Sequence, residues 1–355
     1  MGVSEAKELY SKFITRKVVF ILTGLGGLAV LSLFTASIGS AGLSLNDVAC
    51  AIFAKLFPFT NIESTHLADI VVWKLRLPRI AMALIGGAGL AVSGAAMQGV
   101  TRNPLVSPFT VGVSSAAAFG ASIAIVLGFG LIGSETYIVI TNAFVFASIT
   151  AFFVYGLARI RGVTGETLVL AGIALMFLFS ALTSLLQYFA SEEQLQAVVQ
   201  WMFGSLSGAS WENIVTASIL LFLCLPFLMR YSWDLNAIAA GSDEIAKSLG
   251  VNAPRVRVIC LILACLITAG IICFTGVIGF VCLVSPHIAR LLIGADHRFV
   301  LPYSSVLGAL LLLVADTVGR NILSPVTIPV GIVTSLIGVP FFIYLLMTRR
   351  KEYWV

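Results

Sequence analysis

Apolar residues in this chain neither alternate nor fall on one helical stripe; they run on in blocks about as long as a bilayer is thick. A hydrocarbon core of roughly 30 Å takes about 20 apolar residues in helical form. Ten blocks approach that length: Val18 to Ile38, Ile80 to Val100, Phe109 to Leu131, Tyr137 to Leu157, Leu168 to Phe189, Ile214 to Met229, Val258 to Thr275, Val277 to Ile293, Pro302 to Leu323 and Val330 to Met347. The pattern predicts an all-α integral membrane protein of ten transmembrane helices. Nine is the competing count, because only the Thr275-Gly276 step and Gly279 divide the seventh block from the eighth.

Charge decides between the two counts. Lys7, Lys12, Arg16 and Lys17 precede the first block, and Arg349, Arg350 and Lys351 follow the last. Lys and Arg accumulate on cytoplasmic flanks, so both termini are expected in the cytoplasm, which requires an even number of spans. With ten, the outward side keeps only Lys55, Lys74, Arg76, Arg79 and Arg320. The first block could be the core of a secretory signal, but it is longer than such cores and is expected to be a retained helix. Composition agrees with lipid as the main solvent. Of 355 residues, 59% are hydrophobic and 10% charged, against about 25% charged in soluble domains, and no nucleic-acid partner is expected. Five of the six cysteines lie inside blocks and none forms a C-x-x-C pair, so buried free thiols are expected.

The longest segments between blocks are Gly39 to Arg79 outside and Arg230 to Arg257 inside. The chain therefore reads as one transmembrane unit over 1–355, with residues 1–17 and the loop 230–257 cytoplasmic. Small residues recur every fourth position at Gly87, Ala91, Ala95 and Gly99, and again at Gly112, Ala116, Gly120, Ala124 and Gly128. Such rows let helices approach closely where packing, not water exclusion, drives association. Thr101 to Pro108, TRNPLVSP, predicts a tight turn. Glu192 to Ser207 carries apolar residues at three- and four-residue spacing, which predicts an amphipathic helix lying on the bundle or a lid over a pathway.

Catalytic chemistry is sparse. The three histidines, His66, His287 and His297, have no metal-ligand spacing, and there is no G-x-S-x-G nucleophile motif. No Gly-Lys step exists, so the chain has no P-loop and is expected to bind no nucleotide that way. A carrier driven by an ion gradient would place ionisable groups within the membrane. The clearest such carboxylate is Asp316, with Arg320 one turn later on the same face, where the two can neutralise each other. The energy source is therefore expected on a separate subunit.

One polar island breaks the apolar chain: AAGSDEIAKSLGVNAPRVR, Ala239 to Arg257. Ser242 is a good N-cap, Asp243 and Glu244 suit the first turn, and Gly250 suits the stop. A helix over Asp243 to Leu249 follows, with Ile245, Ala246 and Leu249 on a small apolar face and Asp243, Glu244 and Lys247 in water. Locally it fits a lever touching another protein and a loop helix lying on the membrane equally well.

RLPR (Arg76 to Arg79), the glycine-rich Gly86 to Ala121, the island itself, Gly276 to Pro302, ADTVGR (Ala315 to Arg320) and Ile328 to Leu346 together resemble, in colinear order from about Leu75 to Met347, a known family. This is the FecCD/BtuC-like permease subunit family of ATP-binding-cassette importers for iron chelates, haem and cobalamin. The resemblance implies a ten-helix subunit of a type II importer that forms a homodimer around a central pathway. It also implies two cytoplasmic ATPase subunits that hold ATP and Mg²⁺, and an extracytoplasmic substrate-binding protein. This chain would bind no cofactor and carry no catalytic or metal-binding residue.

By position, the family's ATPase-coupling role falls on Gly241, Ser242, Asp243, Glu244, Ala246, Leu249, Gly250 and Val251. Arg76, Arg79 and Arg320 match arginines that meet glutamates of the binding protein. The fifth and tenth spans would line the pathway, with Leu175, Met176 and Phe179 as candidate pathway residues. The implied function is import of an iron chelate, ferric siderophore first, with haem, cobalamin or an oxyanion as alternatives, in the cytoplasmic membrane of a prokaryote. A secondary transporter using Asp316 and Arg320 is the rival class, and a membrane-bound enzyme stands behind it.

Overall fold

The computed structural model describes residues 3–39, 42–57, 59, 63–130 and 135–348, and these form helices joined by short turns, with no strand among them. In order they are α1 (Val3–Ser37), α2 (Leu45–Leu56), α3 (His66–Ile70), a π-helical turn (Val71–Arg76), α4 (Leu77–Thr101), α5 (Val113–Leu127), α6 (Glu135–Arg161), α7 (Gly165–Phe189) and α8 (Glu192–Met202). There follow α9 (Trp211–Arg230), α10 (Ser232–Ala239), α11 (Asp243–Ser248), α12 (Ala253–Thr275), α13 (Val281–Ile293), α14 (His297–Asn321) and α15 (Val330–Thr348).

Seven helices among the described residues are long and apolar enough to cross a membrane. They correspond to seven of the expected blocks. The third, eighth and tenth blocks are the shorter apolar helices α5, α13 and α15. Leu131, the expected end of the third block, and the basic C-terminal Arg349, Arg350 and Lys351 lie outside the described residues.

Two boundaries differ from expectation for a local reason. α5 begins at Val113, not Phe109, because Gly112 adopts φ +89° and ends the turn from Arg102. α13 begins at Val281, not Val277, because Gly276 stops α12 at φ +68° and Phe280 is itself left-handed at +65°. The intervening backbone is satisfied by neighbours, as irregular chain within a membrane must be. Ser205 N, for example, donates to Thr275 O at 2.7 Å. α1 is likewise longer than expected, since it starts before the basic cluster. At 35 residues and 1.5 Å per residue it reaches about 52 Å, and it packs along α14.

α4 is the axis of the bundle, contacted by α14, α12, α13 and α9, and every residue from Gly89 to Val100 is buried. Its row of small residues serves the close packing expected of it. A side chain at Gly87 would run into the backbone of Gly308 on α14, and one at Gly94 into the carbonyl of Cys282 on α13. In the second row, Gly120 abuts the Asn142 carbonyl of α6. Hydroxyl, amide and carboxylate caps start most of the other helices: Ser44, Thr65, Thr164, Ser191, Ser210, Ser242, Asn252 and Asp296 all accept from first-turn amides. α8 is the amphipathic segment foreseen between Glu192 and Ser207, with Val198 buried and the helix resting on α5 and α7. Five cysteines are buried and Cys50 is half-buried, all as free thiols.

Candidate functional site

Polar side chains gather at the two ends of the bundle. At one end stands α11. Ser242 Oγ accepts from Ile245 N, and Gly250, at φ +81°, closes the helix by two reverse bonds, Gly250 N to Lys247 O and Val251 N to Ala246 O, both 2.9 Å. That pairing is the Schellman stop, which only a residue tolerant of positive φ supplies without strain. Ala246 is buried beneath the helix, Gly241 and Val251 are half-buried at its ends, and Glu244, Ile245, Lys247 and Leu249 are exposed. A groove of about 480 Å³ runs beside it, between Asp243, Glu244 and Lys247 on one side and Val251 to Pro254 on the other.

Asp243 corrects the expectation that it simply faces water. Arg257 donates to its carboxylate from Nη1 at 2.6 Å and Nη2 at 2.7 Å, and Arg102 adds a third bond from Nη2 at 2.6 Å. Arg257 is 2% exposed. Its Nε donates to Val100 O at 3.0 Å and its Nη1 to Val163 O at 3.3 Å. Arg102 stands in a left-handed conformation just past α4, and its Nε donates to Ile238 O at 2.6 Å. One carboxylate on α11 is thereby tied to the ends of α4, α10 and α12 and to the turn between α6 and α7. The Arg257 hydrogen bonds, reinforced by the charges of Arg257 and Arg102, hold the carboxyl below its ordinary value although partial burial opposes this. Sequence reading missed both arginines. The available signal was an acid in a helix's first turn with Arg257 just beyond the following Pro254.

At the opposite end, Asp316 is completely buried and accepts from Arg79 Nε at 2.8 and 3.0 Å, while Arg320 Nε lies 3.1 Å away. The mutual neutralisation of Asp316 and Arg320 read from their spacing is present, with Arg79 as a third member. Asp316 sits beside the first turn of α4 and near the end of α14, not in the middle of that helix. Arg76 is buried, with Nη1 donating to the last carbonyls of α1, Ala36 O at 2.6 Å and Ser37 O at 3.1 Å, an arrangement that suits a helix C-terminus. Arg76, Arg79 and Arg320 nonetheless border one recess of about 300 Å³, with Lys74, Ser207 and Asn321.

The expected pathway residues divide. Leu175 and Phe179 are each 7% exposed and turn into the subunit, Phe179 packing on Phe119 of α5, and Met176 is half-buried. A pathway wall would use the other face of α7, where Phe177, Leu178 and Leu185 are exposed. α15 and the segment after α8 form a mostly apolar groove of about 550 Å³ from Met202 and Phe203 to Val339 and Pro340. No cluster of three or more His, Cys, Asp or Glu suited to a metal occurs among the described residues.

Comparison with known proteins agrees with this architecture. The model of the FecCD transport family matches residues 27–348. The molybdate import system permease protein MolB of Haemophilus influenzae is 38% identical, over 92% of this chain and 94% of its own. The Fe(3+)-citrate import system permease protein YfmE of Bacillus subtilis is 37% identical, over 92% and 93%. A solved structure described as an inward-facing conformation of a metal-chelate type ABC transporter superposes with a TM-score of 0.80 at 34% identity, covering 93% of this chain and 99% of that one. With a family match over nearly its whole length and a shared fold, this chain belongs to the FecCD transport family, as an integral membrane permease of the ABC importer type.

Proposed function

We propose that this permease is one half of a homodimer that carries an iron chelate, a ferric siderophore first, inward across the cytoplasmic membrane of a prokaryote. Two ATPase subunits, holding ATP and Mg²⁺, bind the α11 end, and a substrate-binding protein docks on the other. The observation that carries this reading is α11 itself. It presents Ile245 and Leu249 outward beside a groove, while Asp243 beneath is fastened to several helix ends. Exposed apolar residues on a short, doubly capped rod suit a protein cleft, and the fastening passes any displacement of the rod into the bundle. The abundance of Lys and Arg at this end supports a cytoplasmic placement, with both termini inside.

In the mechanism we infer, ATP closes the paired ATPases, α11 moves with them, and the helices tied to it tilt, so that access alternates between the two sides. The work comes from the ATPases binding the two states unequally. At the far end, Arg79 and Arg320 at the recess, with Arg76 behind them, attract acidic side chains of the binding protein, which orients docking more than it tightens it. Pairing of Asp316 with two arginines weighs against an ion-coupled carrier, because a coupling carboxylate must be free to change its charge.

Purification with the ATPase tests the reading. Ile245→Arg with Leu249→Arg is expected to abolish assembly and uptake while the permease still folds; undiminished uptake by this variant sinks it. The ligand retained by the cognate binding protein identifies the cargo.

A further inference from the structure

Among the described residues, Arg102 and Phe280 are the two that hold a positive φ without being glycine. Arg102, at φ +51° and ψ +33°, sits in the ordinary left-handed well and is held there by its bonds to Ile238 O and Asp243. Phe280 differs. At φ +65° and ψ −32° it lies outside that well, which for a bulky side chain is a genuine outlier, disfavoured about tenfold or more against a relaxed backbone. Glycine would adopt this backbone at lower cost.

The aromatic ring adds a contact that glycine cannot. It fills a notch on α15: a Cβ built on Gly338 would stand 2.7 Å from Phe280 Cβ, Cγ and Cδ1. On the other side Phe280 O accepts the first amides of α13, Leu283 N at 3.0 Å and Val284 N at 2.8 Å. The strained residue is thus clamped between α13 and α15. Gly331, Ser335 and Gly338 are four and three positions apart and share one stripe of α15. Gly331 and Ser335 line the apolar groove of about 550 Å³, and Gly338 carries the ring. Val277 and Gly279, just before Phe280, line the groove as well, and a side chain at Gly279 would meet nothing within 4 Å. A strained aromatic wedge therefore stands at the groove wall with open space beside it, and the notch of α15 holds it back.

We propose that Phe280 is a gating residue. Its ring rests in the Gly338 notch while α15 stands as here, and swings into the groove when α15 shifts, so that relaxation of one backbone position closes the groove to cargo. Strained residues persist where their surroundings hold them, and they gather at clamps and switches; here the holding surface is a helix of the proposed pathway. The proposal rests on the reading of this groove as part of that pathway.

Ser335→Cys places a thiol on the groove wall, in a Cys50→Ser background that removes the one cysteine that is not buried. The full complex is reconstituted in vesicles and treated with a small water-soluble methanethiosulfonate. Gly338→Ala fills the notch and forces Phe280 out, and is expected to slow modification at least about fivefold. Adding Phe280→Ala keeps the Cβ that the filled notch displaces but removes the ring, and is expected to restore the rate to within about twofold. A second measurement leaves Gly338 alone: ATP with vanadate, which arrests the ATPases, is expected to slow modification in the chain with Phe280 and not in Phe280→Ala. No slowing by Gly338→Ala in a folded chain overturns the proposal, as does recovery that requires Phe280→Gly, the sign of a packing clash. So does a nucleotide effect that is absent with the ring or persists without it. A thiol that stays unmodified under every condition overturns the pathway reading of the groove and the gate with it. The permease reading is judged separately in the same vesicles, by whether the binding protein stimulates ATP hydrolysis.

Discussion

Asp243→Asn is the sharpest perturbation of the α11 end, because it keeps the shape of the side chain and removes the charge that three guanidinium hydrogen bonds address. Hydrogen bonds to charged groups contribute about 1.5–3 kcal/mol each when shielded from water. The Asp243 side chain is 42% exposed, so water replaces part of what is lost, and a net loss of about 2 kcal/mol is the appropriate scale. That corresponds to a factor of about 30 in the ratio of fastened to loose α11. The rod would still form, since its caps belong to Ser242 and Gly250, and it would still present Ile245 and Leu249. Assembly with the ATPase and basal ATP hydrolysis are therefore expected to change less than about twofold. Uptake per ATP is expected to fall at least tenfold, because a loose rod moves without dragging α4 and α12. The assay is paired measurement of ATP hydrolysis and cargo uptake in vesicles, with thermal unfolding as a control. If hydrolysis and uptake fall together, Asp243 holds the subunit up and transmits nothing; an unchanged ratio refutes the transmission argument outright.

Gly87→Leu forces α4 away from Gly308 of α14 and is expected to lower stability in detergent by more than about 2 kcal/mol, seen as a depressed unfolding midpoint. Asp316→Asn leaves two guanidinium groups beside a completely buried neutral side chain, and the expected cost is about 3–5 kcal/mol in the same assay. For pH, the sign follows from the direction of the Asp243 shift. Its folded value is depressed below the ordinary 3.8, so its contribution is complete above that value and fades only as pH falls through the depressed one. Uptake per ATP is thus expected to show no Asp243-dependent step between pH 5 and 8; a step present in the parent chain and absent in Asp243→Asn would contradict this. Combining Asp243→Asn with Arg79→Lys perturbs both ends of α4, about 35 Å apart by helical rise. Sites that distant normally add, so non-additive loss of uptake is the expected signature of a rigid α4, and additivity within about 0.5 kcal/mol would deny it.

Much of this was legible in the sequence where the signal is local. The apolar blocks, the caps of α11, the turn after α4 and the small-residue rows each depend on residues within a few positions, and the helices formed where those residues put them. What was not legible has range. Asp243 meets Arg102 across 141 positions and Arg79 meets Asp316 across 237, and nothing in either neighbourhood names its partner. The choice of Leu175 and Phe179 failed to find an open face for a different reason. α7 carries polar side chains on one face only in its second half, at Ser180, Thr183, Ser184 and Gln187, while Leu168 to Phe179 is apolar on every side and does not announce which face meets protein. Helix starts are similarly hidden: Gly112 precedes α5 inside an apolar stretch that hydropathy reads as unbroken, and α13 begins only after Phe280, beyond the divide read at Gly276.

The two ends of the bundle use one device with different exposure, and the difference bears on how motion could pass between them. Each end has a carboxylate shared by two arginines from separate stretches of chain, and in each case one arginine flanks or opens α4: Arg79 in its first turn, Arg102 just past its last. Asp316 is wholly buried, whereas Asp243 is partly open to water. A sealed pair in a low-dielectric setting is costly to part, while a hydrated one can rearrange at modest cost. α4 is therefore braced to α14 at one end and adjustable at the other. Its buried middle is closely packed against α13 and α14 and so restrained from bending; under the coupling proposed for α11, its displacement is expected to appear as tilt of α4 about the Asp316 brace, not as local slack.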